Sequence, residues 1–238
     1  MPYVSLPDGV PLYVEQHGDA GPVVVLVPGW TITTAFWRKQ VAGLAQDYRV
    51  VTLDLRGAGR SGKTPDGHTL QGYADDLGHV LEALDLRDVT LVGFALAASV
   101  CALHLVADGA RVARLVWVDH SPCFFTGPDW PLGLFGDFGP RQLDGVLHGL
   151  RHDRIAVTGE MLDLMFSPRE DWMLPELLQT PTEVAVTMLH AVATADMRPL
   201  LPRIRQPVLS INGDSYRMRA HRDAIATLRG AITGGESS

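Results

Sequence analysis

The fold is decided by the stretch Leu86-Arg-Asp-Val-Thr-Leu-Val-Gly-Phe-Ala-Leu-Ala-Ala-Ser-Val100. Its apolar run from Val89 to Val92 is rich in β-branched residues and predicts a buried strand. Gly93 marks a tight turn, and the small apolar residues from about 96 to 105 predict a helix. The stretch therefore predicts a strand, a tight turn and a helix, with Ala95 in the turn.

Strands and helices alternate around this stretch from residue 22 to 119. The predicted strands are residues 12–16 (an edge strand), 22–27, 49–54, 89–92 and 112–118, and the predicted helices are residues 34–45 and 70–84. Continuous apolar runs such as Pro22-Val-Val-Val-Leu-Val27 are typical of strands that are buried on both faces. The alternation implies right-handed βαβ crossovers. The pattern predicts an α/β protein with a mostly parallel central sheet flanked by helices.

The pattern changes between Ser121 and about Thr187, where prolines and large apolar residues replace the strand signals. We interpret this segment as an inserted helical cap, because a strand (206–212) and a helix (220–228) are predicted after it. A helical extension packed on the core is the alternative. The predicted division is residues 1–122 for the first part of the core, 123–187 for the cap and 188–238 for the second part.

Composition limits the classes of function. With 46% hydrophobic and 20% charged residues over 238 positions, the chain predicts one globular α/β domain. A net charge of −7 argues against nucleic acid as a partner. No run is long enough to span a membrane, and the start of the chain lacks the features of a signal peptide. We expect a cytoplasmic protein, and the sequence leaves its oligomeric state open.

Three motifs carry a resemblance to a known family. Gly93-Phe-Ala-Leu-Ala97 resembles the G-x-S-x-G nucleophile elbow of the α/β-hydrolase fold superfamily, with Ala95 in place of the nucleophile. Val27-Pro-Gly-Trp30 resembles the H-G-W oxyanion loop, with Pro for His, and residues 54–61 resemble the D-x-R-G-x-G-x-S segment. The match covers residues 10–120 and resumes at 194–216. It implies the fold of the superfamily and leaves the substrate open.

The resemblance also implies positions for the catalytic acid and base. The position of the family acid after the penultimate strand holds Tyr216, and Asp214 would serve only from a re-aimed loop. Asp119, after the strand that follows the elbow helix, is the other candidate, with a structural role as its alternative. None of the nine histidines has the context of the family base; His190 and His221 are expected on helix surfaces. The second part of the core is therefore expected to lack the last strand and helix of the family fold, by truncation or disorder. A natural short form without the histidine is the alternative.

The remaining site residues follow from the same resemblance. The backbone N–H groups of Trp30 and Leu96 are expected to form the oxyanion hole. The density of aromatic residues in the cap predicts a small apolar ligand. The residues expected to line the substrate pocket are Thr31, Phe94, His120, Phe124, Phe125 and Trp130.

Gly57, Gly59 and Gly62 also spell G-x-G-x-x-G after a strand. A dinucleotide site requires a helix that opens within this motif, whereas Lys63-Thr-Pro-Asp-Gly67 has the composition of a turn. We therefore predict no cofactor, and no cluster in the sequence predicts a metal.

Three functions remain open on these grounds. The first is hydrolysis of a small apolar ester or lactone on a scaffold that lost its nucleophile, naturally or by design, at Ala95. The second rests on a weaker resemblance to cofactor-independent 3-hydroxy-4-quinolone 2,4-dioxygenases, carried by Pro28-Gly-Trp30 and Asp119. Oxygen uptake with hydroxyquinolones would test it. The third is binding of a hydrophobic ligand without catalysis.

Overall fold

The computed structural model describes residues 2–133 and 136–213. A seven-stranded sheet with the order β1-β2-β4-β3-β5-β6-β7 forms the centre of this part. The five strands from β3 to β7 run parallel to one another, whereas β2 pairs antiparallel with both β1 and β4. The α/β fold with a mostly parallel sheet is confirmed. The predicted helix at 220–228 lies outside the described residues.

The strand bounds follow the apolar runs closely. They are β1 Tyr3–Ser5, β2 Pro11–His17, β3 Val23–Val27, β4 Arg49–Leu53, β5 Val89–Phe94, β6 Val112–Val118 and β7 Val208–Ile211. The strand predicted at residues 12–16 is confirmed, but the prediction that it lies at the edge of the sheet was wrong. β2 pairs with β4 on one side and with the short β1 on the other. The prediction missed β1 because a strand of three residues gives no periodic signal in the sequence.

The helices cover both faces of the sheet. On one side, Val24, Leu26 and Val50 pack with Trp37, next to helix α1 (Arg38–Leu44). On the other side, Val25 and Val27 belong to the main core, which includes the inner faces of α2 (Leu70–Ala83) and α3 (Leu96–Asp108). The alternation along β3 explains its unbroken apolar sequence, since each face is buried by a different helix layer.

Two helices differ in detail from the prediction. The segment predicted as one helix, residues 34–45, is a 3-10 turn (Thr34–Trp37) followed by α1. Helix α3 continues to Asp108, one turn beyond its predicted end at about 105. Helix α2 begins where expected, and its N-cap hydroxyl on Thr69 accepts a hydrogen bond from the Gly72 N–H at 2.9 Å.

A helical layer lies between β6 and β7 along the chain. Its helices are α4 Pro140–His152, α5 Arg154–Met165, α6 Met173–Leu178 and α7 Thr182–Ala193. We call this layer the cap. The predicted border at residue 187 falls inside α7, and the division of the chain into core and cap domains stays a prediction. In the described ranges, no helix is both long and apolar enough to cross a bilayer.

Candidate active site

The turn between β5 and α3 holds Ala95 in an unusual conformation, with φ 50° and ψ −125°. These angles match the first central residue of a type II′ turn, which favours glycine. On an L residue, a conformation of this kind costs about 1–3 kcal/mol. Gly93 allows the turn to close, because a Cβ there would lie 2.7 Å from the Ala97 carbonyl oxygen. The side chain of Ala95 is only partly buried, so the strained turn presents residue 95 at the end of β5.

Two more residues with positive φ occupy the same edge of the sheet. Thr31 (φ 55°) follows β3, and Asp119 (φ 52°) follows β6. Strands β3, β5 and β6 are neighbours, so three strained non-glycine residues lie at adjacent carboxyl ends. Strain of this kind concentrates at functional sites, and ligands in open α/β sheets bind at this edge.

Two backbone donors flank residue 95. A Cβ added to Gly29 would lie 3.1 Å from the Ala95 Cβ, so the loop after β3 runs directly beside the elbow. Within the described residues, the N–H groups of Trp30 and Leu96 have no hydrogen-bond acceptor. Because Leu96 opens α3, its N–H also lies at the positive end of the helix dipole. The arrangement can bind a carbonyl oxygen or an oxyanion.

Asp119 lies one strand away from the elbow. The Ala95 N–H donates to the Val118 carbonyl oxygen (2.9 Å), which places Asp119 next to the turn in the strand register. The Asp119 Oδ1 accepts a hydrogen bond from the Gly213 N–H at 3.2 Å. Burial raises the pKa of this carboxyl above its ordinary value, and the Gly213 bond offsets part of that effect. The other candidate acid, Asp214, lies outside the described residues.

A family profile for the alpha/beta hydrolase fold matches residues 22–146, which include the elbow, both donors and Asp119. The chain belongs to the α/β-hydrolase fold family. A "Putative non-heme chloroperoxidase" of Synechocystis sp. is 30% identical to this hydrolase-fold chain over 247 residues, covering 96% of it and 87% of the relative. A pimeloyl-[acyl-carrier protein] methyl ester esterase of Nitrosomonas europaea is 28% identical over 214 residues, covering 85% and 80%.

Solved structures agree with this assignment. A bromoperoxidase from Bacillus anthracis superposes with a TM-score of 0.81 at 27% identity, covering 90% of this chain and 84% of its own. An esterase from Exiguobacterium antarcticum gives 0.82 over 87% and 79% of the two chains, and at 23% identity it shows the shared fold alone.

Hydrogen bonds join the loop after β4 to the segment that follows Trp30. Buried Asp54 accepts hydrogen bonds from the Thr34 N–H and the Arg60 N–H, each at 2.7 Å. Burial raises the pKa of Asp54 despite these two bonds. Arg56 donates to both oxygens of Asp76, on α2 (2.9 and 2.7 Å). No helix begins within the glycine motif of this loop, since α2 begins at Leu70.

The predicted pocket residues fall into two groups. Phe94 lies at the elbow, with its ring 6.4 Å from Phe166 and 6.3 Å from Trp37 between centroids. Thr31 follows Trp30, a predicted oxyanion donor, and is fully buried. The others pack around the start of the cap segment. These are His120, Phe124, Phe125 and Trp130, of which Phe125 is the only one that is not buried.

Residues of this second group contact core residues and one another. His120 Nε2 lies 2.7 Å from Ser99 Oγ inside the core, and its ring packs against Trp117 and Phe124. Trp130 Nε1 donates to the Cys123 carbonyl oxygen at 3.1 Å. A role for these side chains in lining a substrate pocket stays a prediction.

Contacts from the cap reach the site at positions that sequence patterns did not single out. Trp30 Nε1 donates to the Ala185 carbonyl oxygen in α7 at 2.7 Å, and the Arg154 guanidinium carbon lies 5.1 Å from the centre of the Trp30 ring. Glu176, in α6, accepts a hydrogen bond from Thr33 Oγ1 at 2.6 Å. These contacts join residues more than 120 positions apart, so no local sequence pattern predicts them.

Proposed function

We propose that this hydrolase-fold protein has a site for hydrolysis of a small apolar ester or lactone, in which Ala95 occupies the position of the lost nucleophile. The observation that carries the proposal is the backbone of Ala95, held at φ 50° and ψ −125° at the start of α3. Relatives named as methyl ester esterases support the ester as substrate.

The geometry suggests how such a substrate would bind. Its carbonyl oxygen would accept hydrogen bonds from the N–H groups of Trp30 and Leu96, which lack acceptors among the described residues. The carbonyl carbon would then face residue 95. A methyl group has no lone pair to attack it, so acyl transfer at this position requires a hydroxyl or thiol.

Replacement of Ala95 by Ser tests the proposal, with Ala95→Gly as the matched control. Serine can adopt the turn at the same backbone cost as alanine, and glycine adopts it without that cost, but only serine adds a hydroxyl. We expect Ala95→Ser to hydrolyse p-nitrophenyl butyrate at least about tenfold faster than the parent, a small part of what a positioned nucleophile contributes. Ala95→Gly should leave the rate unchanged and raise the free energy of unfolding by about 1 kcal/mol, because glycine tolerates positive φ. Equal rates for all three chains would contradict a hydrolytic ancestry for this site.

Ligand binding without turnover is the second candidate, and the same alanine favours it. It predicts saturable binding of a neutral ester by the parent chain, measured by calorimetry, together with no hydrolysis by Ala95→Ser. Hydrolysis by Ala95→Ser would decide for the first candidate.

A further inference from the structure

Arg154, the first residue of α5, carries a charge that its surroundings do not neutralise. Its Nη2 donates to the Leu177 carbonyl oxygen in a long bond of 3.4 Å. Its Nε and Nη1 are buried without a hydrogen-bond partner, and no carboxylate of the described residues forms an ion pair with it. Burial lowers the pKa of this guanidinium to about 10. Leaving a buried charge uncompensated is costly, so a ligand is the natural partner to look for.

Three further unpartnered hydroxyls belong to α5 itself or to the segments that Arg154 contacts. Thr158 lies one helical turn further along α5, and its hydroxyl is unpartnered. Thr180 comes shortly after α6, and its hydroxyl is unpartnered too. The Leu177 carbonyl oxygen accepts hydrogen bonds from both the Thr180 N–H and Arg154 Nη2. The Thr31 hydroxyl lies in the loop next to Trp30. All three threonines are at most 1% exposed. Five of the ten unpartnered buried side-chain atoms among the described residues belong to these four residues.

The cluster adjoins the reacting position. The Arg154 guanidinium lies over the ring of Trp30, and the backbone N–H of the same Trp30 is a predicted oxyanion donor. Gly29, the preceding residue, lies directly beside Ala95. These contacts place Arg154 on the side chain of Trp30, one residue away from Gly29. Rotation of the guanidinium away from its long bond to Leu177 would free Nη2 for a group on a substrate.

We propose that Arg154, with the hydroxyls of Thr158 and Thr180, binds a carboxylate on the substrate. The inference rests on the proposed function and narrows it, because the preferred ligand becomes an ester with an apolar chain and a carboxylate at its far end. A planar guanidinium matches a carboxylate in shape and charge, and the threonine hydroxyls supply further donors.

The test compares monomethyl adipate with dimethyl adipate, which share the same ester and differ in one carboxylate. Binding to the parent chain, in which Ala95 prevents turnover, is measured by calorimetry. We expect the monomethyl ester to bind at least about tenfold more tightly, as hydrogen bonds to a charged group imply. Arg154→Met should remove this preference. Arg151→Met should keep it, because Arg151 is an exposed arginine three residues away that pairs with Glu183.

Equal affinities of the parent for the two esters, or a preference that survives in Arg154→Met, would overturn the proposal. If Arg154→Met does not fold, Thr158→Val replaces it and should reduce the preference by at least about threefold, the loss of one hydrogen bond. The proposed ester chemistry is judged separately, by hydrolysis of neutral esters by Ala95→Ser, so the two can fail independently.

Discussion

At the scale of single residues, Asp119 is the side chain whose role the geometry sharpens most. Its carboxyl is partly buried, and its Oδ1 accepts a hydrogen bond from the Gly213 N–H at 3.2 Å. Burial raises its pKa, so between the ordinary pKa of an aspartate and the raised value the folded chain holds an extra proton. The stability contributed by this group therefore falls as the pH rises through that window.

Asp119→Asn should consequently stabilise the protein at pH 7, because the amide oxygen can still accept from Gly213 and no charge is buried. The gain in melting temperature over the parent should shrink as the pH is lowered towards 4. If Asp119 also orients a catalytic histidine, Asp119→Asn in an Ala95→Ser background should remove the gain in turnover that Ala95→Ser provides, because an amide can hold the wrong imidazole tautomer. A loss of stability at pH 7 with normal turnover would make Asp119 a structural residue.

At the scale of elements, the contact between β5 and α3 depends on Gly93. A Cβ at this position would lie 2.7 Å from both the Ala97 carbonyl oxygen and the Ala98 Cα, and neither backbone atom can move without shifting the helix. The small residues at the start of α3 let the helix approach the strand, and this approach sets the turn that strains Ala95.

Gly93→Ala should therefore lower the free energy of unfolding by about 2–3 kcal/mol or more, as overpacking does. The control is Gly145→Ala in α4, where an added Cβ meets nothing within 4 Å. That substitution should raise stability by about 0.5–1 kcal/mol through helix propensity. Urea denaturation of both variants measures the difference, and equal effects would show that the close contact is unimportant.

At the scale of the whole molecule, an aromatic cluster joins the cap to the sheet edge. The ring centroid of Phe166, after α5, lies 5.5 Å from that of Phe36 and 6.4 Å from that of Phe94. Trp172 packs on Phe36 at 4.7 Å. Exposed Glu170 adds ion pairs to Arg38 and Lys39 at 2.6 and 3.2 Å. The apolar contacts should dominate, because exposed ion pairs contribute little.

Phe166→Ala should lower the free energy of unfolding by about 2 kcal/mol, less than the loss for a fully buried phenylalanine. It should also speed amide hydrogen exchange in α5 and α6 more than in β3 to β6. Glu170→Gln, which removes the ion pairs and keeps the shape, should change both quantities little. Uniform acceleration across the sheet by Phe166→Ala would show instead that cap and sheet unfold as one unit.

The sequence by itself determined the parallel sheet, the order of its helices and the turn at Ala95, because apolar periodicity and glycine placement are local signals. It did not determine the short β1, the split of residues 34–45 or the burial of His120 against Ser99. Only the tertiary structure decided which groups meet at the site. Arg154 reaches Trp30, and Glu176 reaches Thr33, across more than 120 residues of chain. Such contacts depend on how the cap packs on the sheet, and local periodicity in the sequence does not predict that packing.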